Sequence, residues 1–226
     1  MKKIPTKTSQ VLTPFQYKIL KDFFKEVVSK EFFLTGGTAL AGFYLFHRKS
    51  VDLDLFSYQP LDHLLLEQTV KNIANQNGGD QRTINTFKGT FHSFVISTPS
   101  DSVKLDFVSD VPVRFGTKES FEDIKVDSLE NIAVNKITAI FGRTDQKDFV
   151  DLYFLLKSNK FNLEDLIKKA KKKDLGLTEF YLAGALGNIQ KSSIMPKMLI
   201  PLSHEKLEKY MLELSNQLFL KIKPEK

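Results

Sequence analysis

The chain has 226 residues, no cysteine and no tryptophan, four histidines, and 33 basic against 27 acidic side chains, a formal charge of +6. Without cysteine there are no disulfides, zinc thiolates, iron–sulfur clusters or cysteine nucleophiles, and four scattered histidines argue against a histidine-rich metal site. Hydrophobic residues at 42% and charged residues at 27% fit a globular chain; no apolar run reaches the ~20 residues of a membrane helix and no apolar segment follows the basic start, so a cytoplasmic protein without a membrane partner is expected.

Thr13-Pro14-Phe15-Gln16 opens the first clear helix, with Thr13 as cap, Pro14 in the first turn and Gln16 reaching back. Ile19, Leu20, Phe23, Phe24, Val27 and Val28 continue at helical spacing. Phe32-Phe33-Leu34 reads as a strand ending at Gly36-Gly37, and a second helix is expected over about 38–46. Val51-Asp52-Leu53-Asp54-Leu55 alternates, which predicts a strand with Val51, Leu53 and Leu55 on one face. A helix over about 60–76, a turn at Asn77-Gly78-Gly79-Asp80, and strands over about 81–88, 91–98 and 103–108 follow. Residues 110–127, with Pro112, Gly116 and many charges, read as a connection between lobes. Asp127-Ser128-Leu129-Glu130 has the pattern of a capping box opening a helix to about Phe141. Further helices are expected over about 146–157, 162–173, 178–188 and 203–222. Strands early and helices late predict an α+β fold in two lobes, residues 1–115 with a mixed sheet and a helical lobe over 116–226.

Asp52 and Asp54, two apart on a strand, project from the same face. Two carboxylates this close repel unless a cation lies between them, and all-oxygen ligands suit Mg²⁺ or Mn²⁺. A solvated strand face is the plainer account of two such acids alone. Just upstream, Leu34-Thr35-Gly36-Gly37-Thr38-Ala39-Leu40 reads as strand, glycine turn and helix start, where backbone N–H groups favour phosphate. Asp106, on the strand Val103-Lys104-Leu105-Asp106-Phe107, is either a third carboxylate beside the pair or a strand-edge acid paired with Lys104. Lys136 lies on the apolar stripe of Leu129, Ile132, Ala133 and Ile140, which is unfavourable unless it reaches the surface or meets an anion. Asp145 can cap the following helix. Asp148 and Asp151 share one of its faces with Leu152 and Leu155.

These motifs, taken in order over residues 34–156, resemble the AbiEii/AbiGii toxin family of abortive-infection and toxin–antitoxin nucleotidyltransferases, related to DNA polymerase β. The resemblance rests on Thr35-Gly36-Gly37-Thr38-Ala39-Leu40, Tyr44, His47-Arg48-Lys49-Ser50 and Asp52-Leu53-Asp54-Leu55-Phe56. It continues in Leu129-Glu130-Asn131-Ile132-Ala133-Val134-Asn135-Lys136, Arg143 and Lys147-Asp148-Phe149-Val150-Asp151-Leu152-Tyr153. It implies a polymerase β-like lobe and Mg²⁺-dependent transfer of a nucleotide from an NTP to an acceptor hydroxyl, such as tRNA, with a cognate antitoxin as partner. It also implies catalytic roles for Asp52, Asp54, Asp106, Lys136, Asp148 and Asp151, metal binding by Asp52, Asp54 and Asp106, and substrate contacts from Gly36, Gly37, Thr38, Arg48, Ser50 and Arg143. Between Asp148 and Asp151 the choice of the functional late acid stays open. The turn is Gly-Gly where related enzymes often have Gly-Ser, so a serine contact is missing. Three rival readings remain: a non-catalytic nucleotide or nucleic-acid binder, a transferase acting on a small molecule, and a purely structural partner. Lys168, Lys169, Lys171, Lys172 and Lys173 favour a nucleic-acid acceptor over a small molecule, although a charge run is often a solvated helix face.

Overall fold

A computed structural model describes residues 2–191 and 194–222. The chain divides into two compact units, Met1–Ser128 and Leu129–Lys226. The first contains α1 (Thr8–Val11), α2 (Pro14–Lys25), β1 (Phe33–Thr35), α3 (Gly36–Ala39), β2 (Asp52–Ser57), α4 (His63–Gln76), β3 (Asp80–Phe87), β4 (Phe91–Ser97), β5 (Ser102–Ser109), β6 (Glu119–Phe121) and β7 (Ile124–Val126). Its seven strands form one mixed sheet in the order β3-β4-β5-β2-β1-β7-β6. The β2–β5 and β1–β7 pairs are parallel, and the other pairs are antiparallel.

Alternation along the strands sorts apolar and polar side chains onto opposite faces. Leu53 and Leu55 of β2, Val103, Leu105 and Phe107 of β5, and Phe94 and Ile96 of β4 are buried. Helices α2 and α4 pack on that face. Phe23, Phe24, Phe32, Phe94 and Phe107 meet there as tilted or edge-on rings with centroids 5.4 to 5.8 Å apart, the arrangement that aromatic quadrupoles favour. Asp52, Asp54, Lys104 and Asp106 therefore leave the other face. The capping box of α2 forms as the sequence predicts: Gln16 N–H donates to Thr13 Oγ1 at 3.1 Å, and Thr13 N–H donates to Gln16 Oε1 at 2.8 Å.

The structure differs from expectation at several points. Helix α2 stops at Lys25, and Val27 is 78% exposed in a short 3₁₀ segment, Val27–Glu31. Val51 precedes β2 and is 70% exposed, so only Leu53 and Leu55 hold the apolar face. The helix expected over 38–46 is the short α3 followed by a π-helical turn, Leu40–Leu45, closed by Phe46 in the left-handed region. The segment read as a connection carries the β6–β7 hairpin, and β7 pairs with β1 at Leu34↔Val126. That pairing extends the first unit to Ser128, beyond the expected boundary at 115/116.

The second unit contains α5 (Leu129–Gly142), α6 (Gln146–Lys157), α7 (Leu163–Lys173), α8 (Glu179–Gly187) and α9 (His204–Lys221), each within two residues of its predicted span. Helix α5 is central and packs on α6, α7 and α8. Asp145, Asn162, Thr178 and Ser203 cap α6 to α9 with side-chain oxygens. No helix among the described residues is long and apolar enough to cross a membrane.

His92 of β4 is fully buried in the first unit, beside His63 of α4 at 4.7 Å between ring centroids. Neither His92 ring nitrogen has a hydrogen-bond partner among the described residues. Burial, and then the charge on His63, hold its pKa below the ordinary 6.5. A depressed value means stability that is complete above 6.5 and lost as pH falls toward the folded-state pKa. Thermal unfolding scans from pH 8 to 5 should therefore show a falling midpoint below about 6.5, and His92→Phe should flatten that fall. Parallel profiles for the two proteins would mean His92 does not set this acid limb.

Candidate active site

The first unit builds its polar site around the turn between β1 and α3. Gly36 has φ +65°, a conformation glycine adopts without strain. A Cβ added there would lie 2.1 Å from Asp54 Oδ2 and 2.8 Å from the carboxyl carbon. The Asp54 carboxylate thus rests directly on the turn, as the register Thr35↔Asp54 requires. A Cβ on Gly37 would lie 2.4 Å from Arg48 Nη2. Arg48 is 2% exposed and donates through Nη1 to the Lys49 carbonyl at 2.9 Å. Thr38 is buried: its hydroxyl lies 2.7 Å from that of Ser50 and donates to the Asp52 carbonyl. Gln16 Nε2 donates to the Ser50 and Val51 carbonyls at 3.0 and 2.7 Å. Thr38, Arg48 and Ser50, expected as substrate contacts, are here part of the packing that fixes the turn and the start of β2.

Asp52 and Asp54 are half-buried on one face of β2. Across the parallel pair they stand in register with Lys104 and Asp106 of β5. Strand β5 lies inside the sheet between β4 and β2, so Asp106 is not an edge residue. Its Oδ2 accepts from Lys104 Nζ at 2.6 Å and its Oδ1 from Ser93 Oγ of β4 at 2.6 Å. Burial opposes the Lys104 charge, but the hydrogen bond to Asp106 and the negative charges of Asp106, Asp52 and Asp54 outweigh it and hold its pKa above the ordinary lysine value. The three carboxylates thus act on one ammonium.

The donor set suits a hard divalent cation, which Mg²⁺ chemistry meets with one or two carboxylates plus substrate phosphates. Asp52 and Asp54, on one face of β2, are the two carboxylates that could offer such a pair. No group of three His, Cys, Asp or Glu side chains among the described residues is arranged to hold a metal ion. Asp106, the expected third carboxylate, has both oxygens engaged by Lys104 and Ser93.

The second unit resolves the anomaly of a lysine on an apolar stripe. Lys136 Nζ lies 2.7 Å from Asp148 Oδ1 and 2.7 Å from Asp151 Oδ2. Its side chain is 6% exposed, and both acids are fully buried. Three-residue spacing puts the two acids on one face of α6, opposite Lys136 of α5. Arg143 Nε reaches Asp148 Oδ2 at 2.8 Å. Burial raises the Asp148 pKa, yet Lys136 and Arg143 more than offset it and hold the carboxyl below its usual range. Asp148 and Asp151 both grip Lys136, and Asp148 also accepts from Arg143. Of the lysine run, Lys169 pairs with Glu130, Lys171 with Glu179, and Lys173 donates to Asn135. Lys168 and Lys172 are exposed.

Ser93 escaped the sequence reading, and Thr35 and Tyr44 entered it only as motif positions, with no role assigned. Thr35 Oγ1 donates to Asp127 Oδ2 at 2.8 Å and Tyr44 Oη to the Asp127 carbonyl at 2.7 Å, tying β1 to the end of the first unit. Burial first, then the charges of Glu119 and Asp127, push the Tyr44 hydroxyl well above its ordinary pKa. The alternation of β4, with Ser93 between buried His92 and Phe94, is the one sequence signal that places Ser93 on the polar face.

The family model described as the nucleotidyl transferase AbiEii toxin of type IV toxin–antitoxin systems matches residues 18–213. The Aquifex aeolicus (strain VF5) protein aq_aa25, itself uncharacterized, is 30% identical over 150 residues, covering 65% of this chain and 68% of its own. Among solved structures, a candidate nucleotidyltransferase from H. pylori aligns with TM-score 0.61 and 21% identity over 91% of this chain and 92% of its own. JHP933 from Helicobacter pylori aligns with TM-score 0.58 and 20% identity, over 96% and 94%. MenT4, a nucleotidyltransferase toxin from Mycobacterium tuberculosis H37Rv, aligns with TM-score 0.52 and 12% identity, over 92% and 84%. At these identities the structural likeness is one of fold.

Removing one partner from a buried ion pair leaves an uncompensated charge and costs about 3–5 kcal/mol, whereas an apolar replacement of the whole group is often neutral. Lys136→Met should therefore lower the stability of the chain by about 3–5 kcal/mol in urea unfolding. The triple variant Lys136→Met, Asp148→Asn, Asp151→Asn should recover part of the loss, because it removes the uncompensated charges but leaves two buried amides. A neutral Lys136→Met would show that the cluster does not hold α5 and α6 together.

Proposed function

This chain belongs to the AbiEii nucleotidyl transferase toxin family, and from that premise we propose that it transfers a nucleotide from an NTP to the hydroxyl of an RNA acceptor. The observation that carries the reading is the seating of the Asp54 carboxylate on the Gly36 turn. It unites, within one unit, a backbone suited to phosphates and an acidic pair suited to a divalent cation. The hydroxyl of Thr35 is given to Asp127 and does not cap α3. Asp52 and Asp54 would hold Mg²⁺ or Mn²⁺, which when bound there supplies charge neutralisation for the triphosphate.

In the reaction we infer, the acceptor oxygen forms a bond to the α-phosphorus, the bond to pyrophosphate breaks, and the acceptor proton is lost to solvent or a neighbouring base. Gly36 and Gly37 make room on the turn for the Asp54 carboxylate and the Arg48 guanidinium. Arg48, Thr38 and Ser50 keep the turn in shape. Lys136, Asp148 and Asp151 act as positioning residues that fix α5 against α6. An RNA acceptor is supported by the toxin family, the net charge of +6 and the exposed Lys168 and Lys172, although Lys169, Lys171 and Lys173 have partners within their own unit. Membership of a toxin–antitoxin family also supports a cognate antitoxin as partner.

The test is incubation with each α-labelled NTP, Mg²⁺ and total RNA. Label should enter RNA, chelation should abolish the transfer, and Asp54→Asn should reduce it at least about a hundredfold. Equal labelling by Asp54→Asn would refute the assignment of the pair. Label entering only small molecules would replace the RNA acceptor with the small-molecule reading.

A further inference from the structure

The polar face of the sheet holds a two-by-two block of side chains. Asp52 and Asp54 of β2 stand in register with Lys104 and Asp106 of β5, so all four leave the same face on adjacent strands. One strand further, Ser93 of β4 is in register with Asp106. The two oxygens of Asp106 are taken by different donors, Ser93 Oγ at 2.6 Å and Lys104 Nζ at 2.6 Å. The Lys104 side chain is 38% exposed and that of Asp106 only 13%. The ammonium thus covers the oxygen that a cation approaching Asp106 would need. Three carboxylates and one ammonium leave two negative charges on this block, which one divalent ion cancels. A second ion on Asp106 would sit against the ammonium within a few ångströms, where like charges repel strongly at the low effective dielectric of a protein surface.

We propose that Lys104 is the resident second cation of the site, so that the chain binds one divalent ion, on Asp52 and Asp54, while the Lys104 ammonium neutralises Asp106. The inference rests on the reading of Asp52 and Asp54 as the metal-binding pair. It makes Lys104 a positioning residue that sets the ion count. Ser93 orients the carboxylate by holding its other oxygen. Lysine serves here because its compact ammonium sits on a single carboxylate oxygen; the forked guanidinium of arginine has a different hydrogen-bonding shape but the same charge.

The experiment counts ions directly. Mn²⁺ is titrated into the full chain in the presence of a saturating non-hydrolysable NTP analogue, and free Mn²⁺ is followed by electron paramagnetic resonance. Wild type should hold one tightly bound ion per chain, Lys104→Met two, and Lys104→Arg one, with circular dichroism showing that each variant is folded. Two ions on wild type, or one on folded Lys104→Met, would overturn the inference and leave the metal-binding pair standing. No tightly bound ion on wild type would instead overturn the reading of Asp52 and Asp54. If Lys104→Met does not fold, wild type and Lys104→Arg decide: one ion on each supports the role of the positive charge, and two on either contradicts it.

Discussion

The polar site of the first unit depends on a single close approach. The Asp54 carboxylate lies where the Cβ of any other residue at position 36 would have to be. Gly36 also has φ +65°, so two independent constraints disfavour a side chain there. The antiparallel pairing of β1 with β2 creates the approach, and the parallel pairing of β2 with β5 then fixes where Lys104 and Asp106 stand. The apolar face beneath keeps those registers, because a slip of one residue would turn Leu53, Leu55, Leu105 and Phe107 out of the core. Packing on one face thus determines electrostatics on the other.

The second unit solves a different electrostatic problem. Lys136 lies in the interior of a helical bundle between two acids that are both fully buried. Such a cluster contributes little net stability compared with apolar residues of the same volume, yet it punishes the loss of any member. It also admits few alternative packings of α5 on α6, since a shift of either helix would strand a charge. The partly exposed Arg143 contributes through its hydrogen bond to Asp148 more than through its screened charge.

Much of this was legible in the chain. The Gly-Gly turn, the Asp52/Asp54 strand, the strand carrying Asp106 and the helical pair bearing Lys136 and Asp148/Asp151 follow from periodicity, capping residues and the cost of a lysine on an apolar stripe. What escaped depends on contacts distant in sequence. The β6–β7 hairpin has three-residue strands, too short to carry an alternation signal, and it forms because β1 offers an edge. Val27 and Val51 fit the hydrophobic patterns of their neighbours but fall just outside α2 and β2, where element boundaries are set by tertiary packing. The sequence identified the chance of a Lys104–Asp106 pair. It could not show that Ser93, 13 residues upstream, completes the hold on Asp106, because that contact exists only once β4 and β5 are paired.

The central claim is that the Gly36 turn sets the position of Asp54 and thereby the affinity of the site for a metal–nucleotide pair. Isothermal titration of Mg²⁺ and a non-hydrolysable NTP analogue into Gly36→Ala tests it most directly, with circular dichroism as the check on folding. The added methyl must displace the Asp54 carboxylate, so the account predicts a folded protein whose binding is weakened at least about tenfold, the equivalent of 1.4 kcal/mol. Binding by folded Gly36→Ala equal to that of wild type would contradict it.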